Sequence, residues 1–285
     1  MANTILTPDI IAREALMVLR NNAVMAKLVH RDYSDEFVAG VGDTITIRKP
    51  ATFEAKEFGG AIEVQDANEQ GVPVVMDKHL DVSFAVTSKQ MTMDIKDFSA
   101  QLLVPAMQAF ADKVDSYLLG LQSDITNRVT ATGTVPDDVV DVRAFLTKSA
   151  APLADRRFVY NTDTETLLLK SELFTNADKV GDAGTALREA SLGRKFGMDF
   201  YVDQNADAIA GMKGVAFHKN AFALVTRPLA LPNGAAKAST VNYDGFGLRV
   251  VYGYDIKTKT DTISIDMLCG VKTLNKDLAS VLSAT

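Results

Sequence analysis

Few residues of this chain are of a kind that does chemistry, and they are scattered. The three histidines, His30, His79 and His218, stand far apart, and the single cysteine, Cys269, has no companion at metal-ligand spacing, so a zinc site is not expected. Asp137-Asp138 with Asp141 is an acidic group that invites a cation, but capping and the positive end of a helix dipole account for acidic side chains at a helix start. Gly245-Phe-Gly247-Leu-Arg-Val250 begins like a dinucleotide fingerprint. It lacks the third glycine and has no helix after it, which makes it a strand start. A Walker phosphate loop and a Gly-x-Ser-x-Gly elbow are both missing from the sequence. Arg156-Arg157 and Arg194-Lys195 are short basic pairs, expected to be solvated or ion-paired. An enzyme would have to recruit Asp203, His218 or Arg194 as pocket residues with no motif linking them, and His218, beside an apolar run, reads as structural. No catalytic residue, cofactor or metal is assigned, and the chain is not expected to be an enzyme.

The elements around these residues belong to a sizeable globular body. With 285 residues, 47% hydrophobic and 23% charged, the chain has enough apolar material for one large domain or two modest ones. A net charge of −6 argues against a surface built to grip phosphates, so nucleic acid nearby would be enclosed rather than held. Cys269 sits in an apolar strand-like run, as a buried thiol does in a reducing cytoplasm. The start, Met1-Ala-Asn-Thr-Ile-Leu-Thr, lacks the pattern of a signal peptide. The uncharged run 98–111 falls short of the ~18–20 residues of a membrane span.

Thr7-Pro8-Asp9 predicts a helix start, with apolar residues Ile10, Ile11, Ala15, Val18 and Leu19 following at helical spacing. Asn21-Asn22 interrupts that run, and a second short helix is expected over 23–29. Such an apolar arm needs something to lie against. Thr44-Ile-Thr-Ile47 alternates as a strand, and its expected partner is the alternating run Leu80, Val82, Phe84, Val86. Between them lies an excursion carrying Glu54, Glu57, Glu63, Asp66 and Glu69 against a single Lys56, either a solvated loop or a projecting hairpin ordered by a neighbouring subunit. From Asp97 to about Asn127, Leu103, Met107, Phe110, Val114, Tyr117, Leu121 and Ile125 form one stripe, predicting a helix of roughly 35–45 Å with Pro105 near its first turn or at a kink. After the polar connection 130–136, helices are expected over 137–149 and 163–173, a short helix or turn over 187–191, and strands over 157–160, 200–202, 214–218 and 221–226. Two closing strands, 247–255 and 260–269, form a hairpin whose Ile263, Ile265, Met267 and Cys269 share an apolar face.

This order of parts resembles that of the Hong Kong 97-type major capsid proteins of tailed bacteriophages, and within them the coat proteins of short-tailed phages. The strings that carry the resemblance are Val41-Gly-Asp-Thr-Ile-Thr-Ile-Arg48, Leu192-Gly-Arg-Lys-Phe-Gly197, Ala216-Phe-His-Lys-Asn-Ala-Phe222 and Tyr254-Asp-Ile-Lys-Thr-Lys-Thr260. The resemblance implies an α+β fold with an N-terminal arm at 1–40, an extended loop and peripheral strands at 41–95, and a spine helix at 96–128. It places an axial domain at 129–246 and closing strands of the peripheral domain at 247–285. It implies a structural protein that self-assembles into pentamers and hexamers of an icosahedral head around double-stranded DNA, assembled in the bacterial host cytoplasm. Its partners would be its own copies, a scaffold and a portal; because the inserted domain of larger relatives has little room here, the shell would be stabilised either by arm and loop contacts or by a separate cementing protein. The residues expected at contacts between copies are Ile10, Ile11, Glu54, Glu57, Glu63, Asp66, Glu69, Arg194 and Lys195. The alternative is an encapsulin-like shell enclosing cargo enzymes, with an unrecognised α/β enzyme more distant.

Overall fold

The computed structural model describes residues 8–31, 44–49, 55, 57, 64, 70–87, 102–175, 192–234, 237–243 and 246–284. Helix α1 (Pro8–Asn22) opens on the proline and ends at the asparagine pair, and α2 (Met25–Leu28) follows it. Strand β1 (Thr44–Lys49) pairs antiparallel with β2 (Gln70–Val75) in a two-stranded ribbon, Thr44 opposite Val75 and Lys49 opposite Gln70. The partner expected for β1 is therefore corrected. The alternating run forms β3 (Lys78–Thr87), but it joins a different sheet, because the chain turns at Met76-Asp77 and leaves the ribbon.

The C-terminal end of the spine helix comes a few residues before the expected Asn127. Helix α3 (Val104–Gly120) has 17 residues, about 25 Å at the usual rise, and passes into a 3-10 turn at Leu121–Asp124. Gly120 favours a stop, and the Ser123 hydroxyl donates to the Gly120 carbonyl at 3.0 Å, capping an exposed helix end. Pro105 is the second residue of α3, where its missing amide is tolerated, and the turn just before it, at Leu102-Leu103, is π-helical. Residues 88–101, which include the start of the expected helix, lie outside the described residues, as does the expected short helix or turn at 187–191.

The rest of the chain alternates helix and strand. In order come β4 (Arg128–Thr130), α4 (Val135–Lys148), β5 (Arg156–Tyr160), α5 (Thr162–Lys170), α6 (Glu172–Thr175), β6 (Arg194–Lys195) and β7 (Met198–Val202). Then follow β8 (Met212–His218), β9 (Phe222–Arg227), β10 (Lys237–Tyr243), β11 (Phe246–Asp255), β12 (Thr260–Thr273) and β13 (Ala279–Ser283). These strands form two sheets. One is five-stranded, in the order β10-β11-β12-β3 with β9 also on β12; the other is six-stranded, in the order β4-β13-β8-β5-β7-β6.

The sheets cut across the domain boundary expected at 246. Strands β9 and β10 precede it yet pair into the five-stranded sheet, and β13 returns after it to lie between β4 and β8. The reason is pairing: β12 is long enough to hold β3 and β11 along its first part and β9 along its last. Gly247 takes no part in a phosphate loop. It opens β11 where a Cβ would come within 2.3 Å of Pro228, so a side chain there would not fit.

The arm finds its surface on its own subunit. Ile11, Ala12, Ala15, Leu16 and Leu19 are buried in one core with Met107, Phe110 and Val114 of α3 and with Leu248, Val250, Ile263, Ile265 and Met267 of the five-stranded sheet. Full burial of each large side chain contributes roughly 1.5–3 kcal/mol. The same core takes in Val159, Val215, Phe217 and Val281 from one face of the six-stranded sheet. The other face of that sheet, with Phe158, Tyr160, Phe200 and Ala216, packs under Val139, Val142 and Leu146 of α4, Leu168 of α5 and Phe174 of α6.

Candidate assembly surfaces

A surface that meets other copies needs apolar side chains left uncovered, and ordered segments that carry them outward. On α1, Ile10 is 51% exposed and Met17 61%, one face of the helix seven residues apart. Ile11, by contrast, is wholly buried in the subunit's own core, so its expected place at a contact between copies is corrected. Helical geometry turns neighbouring residues about 100° apart, and only one of the pair can face out.

The β11–β12 hairpin is a second such place, outside the contact residues expected from the sequence. Ile256 at its tip is 77% exposed and Tyr254 is 54% exposed. The tip is held by Asp255, whose carboxylate accepts from the Lys257 amide and from the Thr258 hydroxyl, both at 2.9 Å. Those hydrogen bonds keep the Asp255 carboxyl below its usual range. An isoleucine inside a four-residue turn was the available signal, since neither strand can cover it.

The ribbon of β1 and β2 is the third. Ile45, Ile47, Val74 and Met76 bury against Ala223, Val225 and Leu274, which seats the base of the excursion on β9 and the end of β12. The seat is close because Gly270 of β12 has no side chain, and a Cβ there would stand 2.4 Å from the Val75 carbonyl oxygen. Of the acidic residues beyond the ribbon, Glu57 is exposed. Glu54, Glu63, Asp66 and Glu69 lie outside the described residues. Arg194 is exposed, with its guanidinium 3.8 Å from Asp199, and Lys195 is half-buried beside Phe196 in the tight turn between β6 and β7.

The residues an enzyme would have recruited do not converge. His218 ends β8 opposite Arg156, whereas Asp203 follows β7 beside Tyr160 at the other end of β5, about four residues or roughly 13 Å away along the strands. Arg194 lies on the edge strand β6, separated from β8 by β7 and β5. His218 is buried and its Nδ1 accepts from the Asn220 amide, the structural part expected of it; burial holds its pKa below the usual value. Arg156 departs from expectation, being 1% exposed rather than solvated. It donates to the carbonyls of Ala151 and Pro152 and to the Thr147 hydroxyl, closing the loop after α4.

Asp138 is likewise structural, accepting from the Thr132 amide at 2.9 Å and the Thr132 hydroxyl at 2.7 Å. Burial raises the Cys269 thiol to about 12. Among the described residues no group of His, Cys, Asp and Glu is arranged to hold a metal ion, and no helix is long and apolar enough to cross a membrane. Two open clefts of about 300 and 260 Å³ share Lys213 and Ala284 at one end of the six-stranded sheet. Their polar groups are already engaged, Lys213 with Asp163 at 2.9 Å and Thr162 with Asp207.

The architecture, an α+β body with a two-stranded ribbon, a spine helix and two sheets packed on it, is a fold shared with solved phage capsid structures. Solved structures with that arrangement superpose along nearly the whole chain. One from Mycobacterium phage Che8 is 21% identical, with a TM-score of 0.69 over 91% of this chain and 90% of that one. The mature capsid of bacteriophage PhiM1 is 14% identical, with a TM-score of 0.59 over 86% and 83%. A virus-like particle from Pyrococcus furiosus is 12% identical, with a TM-score of 0.55 over 96% and 98%. No family model and no curated protein matches the sequence.

Proposed function

We propose that this chain is the major capsid protein of a tailed bacteriophage, a non-catalytic subunit that self-assembles into the pentamers and hexamers of an icosahedral head. The observation that carries this reading is the match in fold to a phage capsid over more than four-fifths of both chains. It is supported by the absence of convergence among the candidate pocket residues and by the exposed apolar groups at Ile10, Met17 and Ile256. Closed shells are built from head-to-tail contacts repeated around rings, and flexible or projecting parts absorb the differences in curvature. In this chain the ribbon and its acidic excursion, with Glu54, Glu57, Glu63, Asp66 and Glu69, reach a neighbouring copy, and Ile10, Arg194 and Lys195 lie at further contacts. Many modest contacts of this kind add by multivalency. The net negative charge suits a wall that encloses double-stranded DNA without gripping it. Scaffold, portal and cementing proteins would be its partners in the host cytoplasm, and the virion its final place.

Electron microscopy of the purified protein tests the reading: closed particles are expected, and a dispersed monomer at high concentration would overturn it. Deleting residues 55–70 is expected to abolish or deform the particles. A second reading, a compartment of the encapsulin kind, is favoured by the likeness to the Pyrococcus furiosus virus-like particle. Genes for a portal and a terminase beside this one, and DNA inside the particles, would decide for the phage head.

A further inference from the structure

Three connections meet where the two sheets join. Besides the spine helix itself, which carries the chain from β3 to β4, two are covalent: the 3-10 turn Lys219–Ala221 links β8 to β9, and the turn through Asn275 and Lys276–Leu278 links β12 to β13. They are tied to each other, since the amides of Leu274 and Asn275 both donate to the Ala221 carbonyl, at 2.8 and 3.2 Å. The third connection is not part of either sheet. It is the short segment 23–31 of the N-terminal arm, and its hydrogen bonds go to three different bodies.

At the start of α2, the amides of Val24 and Ala26 donate to the two carboxylate oxygens of Asp115, at 2.6 and 2.9 Å. Asp115 belongs to α3, the spine helix, and is 1% exposed, so these amides replace the water its side chain has lost. At the end of α2, the Leu28 carbonyl accepts from the guanidinium of Arg157, on β5 of the six-stranded sheet. Beyond it, the His30 amide donates to the Phe222 carbonyl and the His30 carbonyl accepts from the Leu224 amide, both at 3.0 Å, a parallel bridge to β9 of the five-stranded sheet. Met25, Ala26, Leu28 and Val29 are buried beneath. A helix of four residues has no stability of its own, so the partners hold it in place.

We propose that residues 23–31 are a releasable clasp that fixes the angle between the two sheets, pinned by Asp115 on the spine helix, Arg157 on the six-stranded sheet and the backbone of β9 on the five-stranded sheet. Of the three connections it is the one that can open without breaking a strand. The covalent turns act as a hinge, and the clasp selects one setting of it. This holds for the isolated chain and does not depend on assembly; if the capsid reading is right, it supplies the adjustable angle that pentamers and hexamers require of one sequence.

The test is made on the full chain with spin labels at two exposed sites, Thr240 on the five-stranded sheet and Thr166 on α5 above the six-stranded sheet, together with amide hydrogen exchange. Arg157→Met and Asp115→Ala are each expected to raise exchange across 24–31 at least tenfold and to broaden the distance distribution between the labels, with exchange in β8 and β12 unchanged. Arg157→Lys, which keeps a donor, is expected to stay close to the parent in both readouts, whereas Asp115→Asn, which keeps one acceptor oxygen but turns an NH2 group toward the second backbone amide, is expected to fall between the parent and Asp115→Ala. Faster exchange in 24–31 with an unchanged distance distribution would overturn the proposal, because the segment would then be a passive surface element. No change in either variant would overturn it too. Should Asp115→Ala fail to fold, Arg157→Met, at a half-buried position, decides alone. Whether particles form is a separate measurement, so a failed clasp and a failed capsid reading are told apart.

Discussion

The two sheets of this subunit solve the burial problem differently. The five-stranded sheet is covered on one face by α1 and α3 and on the other only at β9 and the end of β12, by the β1–β2 ribbon, so elsewhere its strands alternate: β3 is half-buried and exposed in turn, and β12 buries Ile263, Ile265, Met267 and Cys269. Its other face keeps polar cross-strand pairs, with Ser264 donating to Asp81 at 2.7 Å and Arg249 paired with the buried Asp266. The six-stranded sheet is covered on both faces, by α3 on one side and by α4, α5 and α6 on the other, so β8 reads as an almost unbroken apolar run. One sheet is thus free to present a polar or adhesive face, while the other serves as a rigid block.

The largest test of this difference is Phe158→Ala in the two-faced sheet. Phe158 is fully buried, with its ring 5.4 Å from Phe200 and 5.6 Å from Tyr160, so chemical denaturation is expected to show a loss of about 3–5 kcal/mol. A loss below about 1 kcal/mol would mean that this sheet is not tightly packed on both sides.

The border between the regions is sharpened by pH. Burial raises the Asp115 carboxyl to about 7, against the opposing effect of its backbone hydrogen bonds and with the Asp203 charge adding to the rise. The folded state then binds this proton more tightly than the unfolded chain does. Stability is therefore expected to fall as pH rises from about 4 to about 7 and to level off above, by up to about 4 kcal/mol from this group. Denaturation midpoints across that range, compared with Asp115→Asn, check it: the variant is expected to lose most of the slope, and an equal slope would remove Asp115 from the account.

Gly270→Ala is expected to cost about 1–3 kcal/mol, because the new methyl would press on the backbone of Val75 and Met76. Hydrogen exchange should show the loss concentrated in β1 and β2, with the six-stranded sheet unaffected. The smallest effect belongs to the open face of the five-stranded sheet, where Ser264→Ala is expected to change stability by less than about 1 kcal/mol in the same assay.

The sequence made the helix start at Pro8, the β11–β12 hairpin and most of the strands of the middle region legible, because each is set by local spacing and turn residues, whereas α4 begins at Val135, two residues before the expected start at Asp137. Pairing between distant strands was not. Nothing near Thr44 says whether 70–75 or 80–86 will lie beside it, since both runs carry β-branched residues and only the tertiary seat on Val225 and Leu274 chooses. The buried part of Arg156 was hidden for a similar reason, as a pair of arginines looks solvated until a loop folds its carbonyls over one of them. Of the candidate contact residues, exposure at Ile10 and burial at Ile11 differ through helix phase alone, and Ile256 needed only the turn to be taken seriously.

The position of β13 sets a schedule for synthesis. It lies between β4 and β8, so the six-stranded sheet cannot close until residue 283 has left the ribosome, and β3 likewise waits for β12. Until then a nascent chain carries unpaired strand edges that fit the missing strands of any sister chain as well as its own. Crowded polysomes would therefore favour exchange of strands between chains, and slower translation or a holding chaperone would be the remedy for misassembled product.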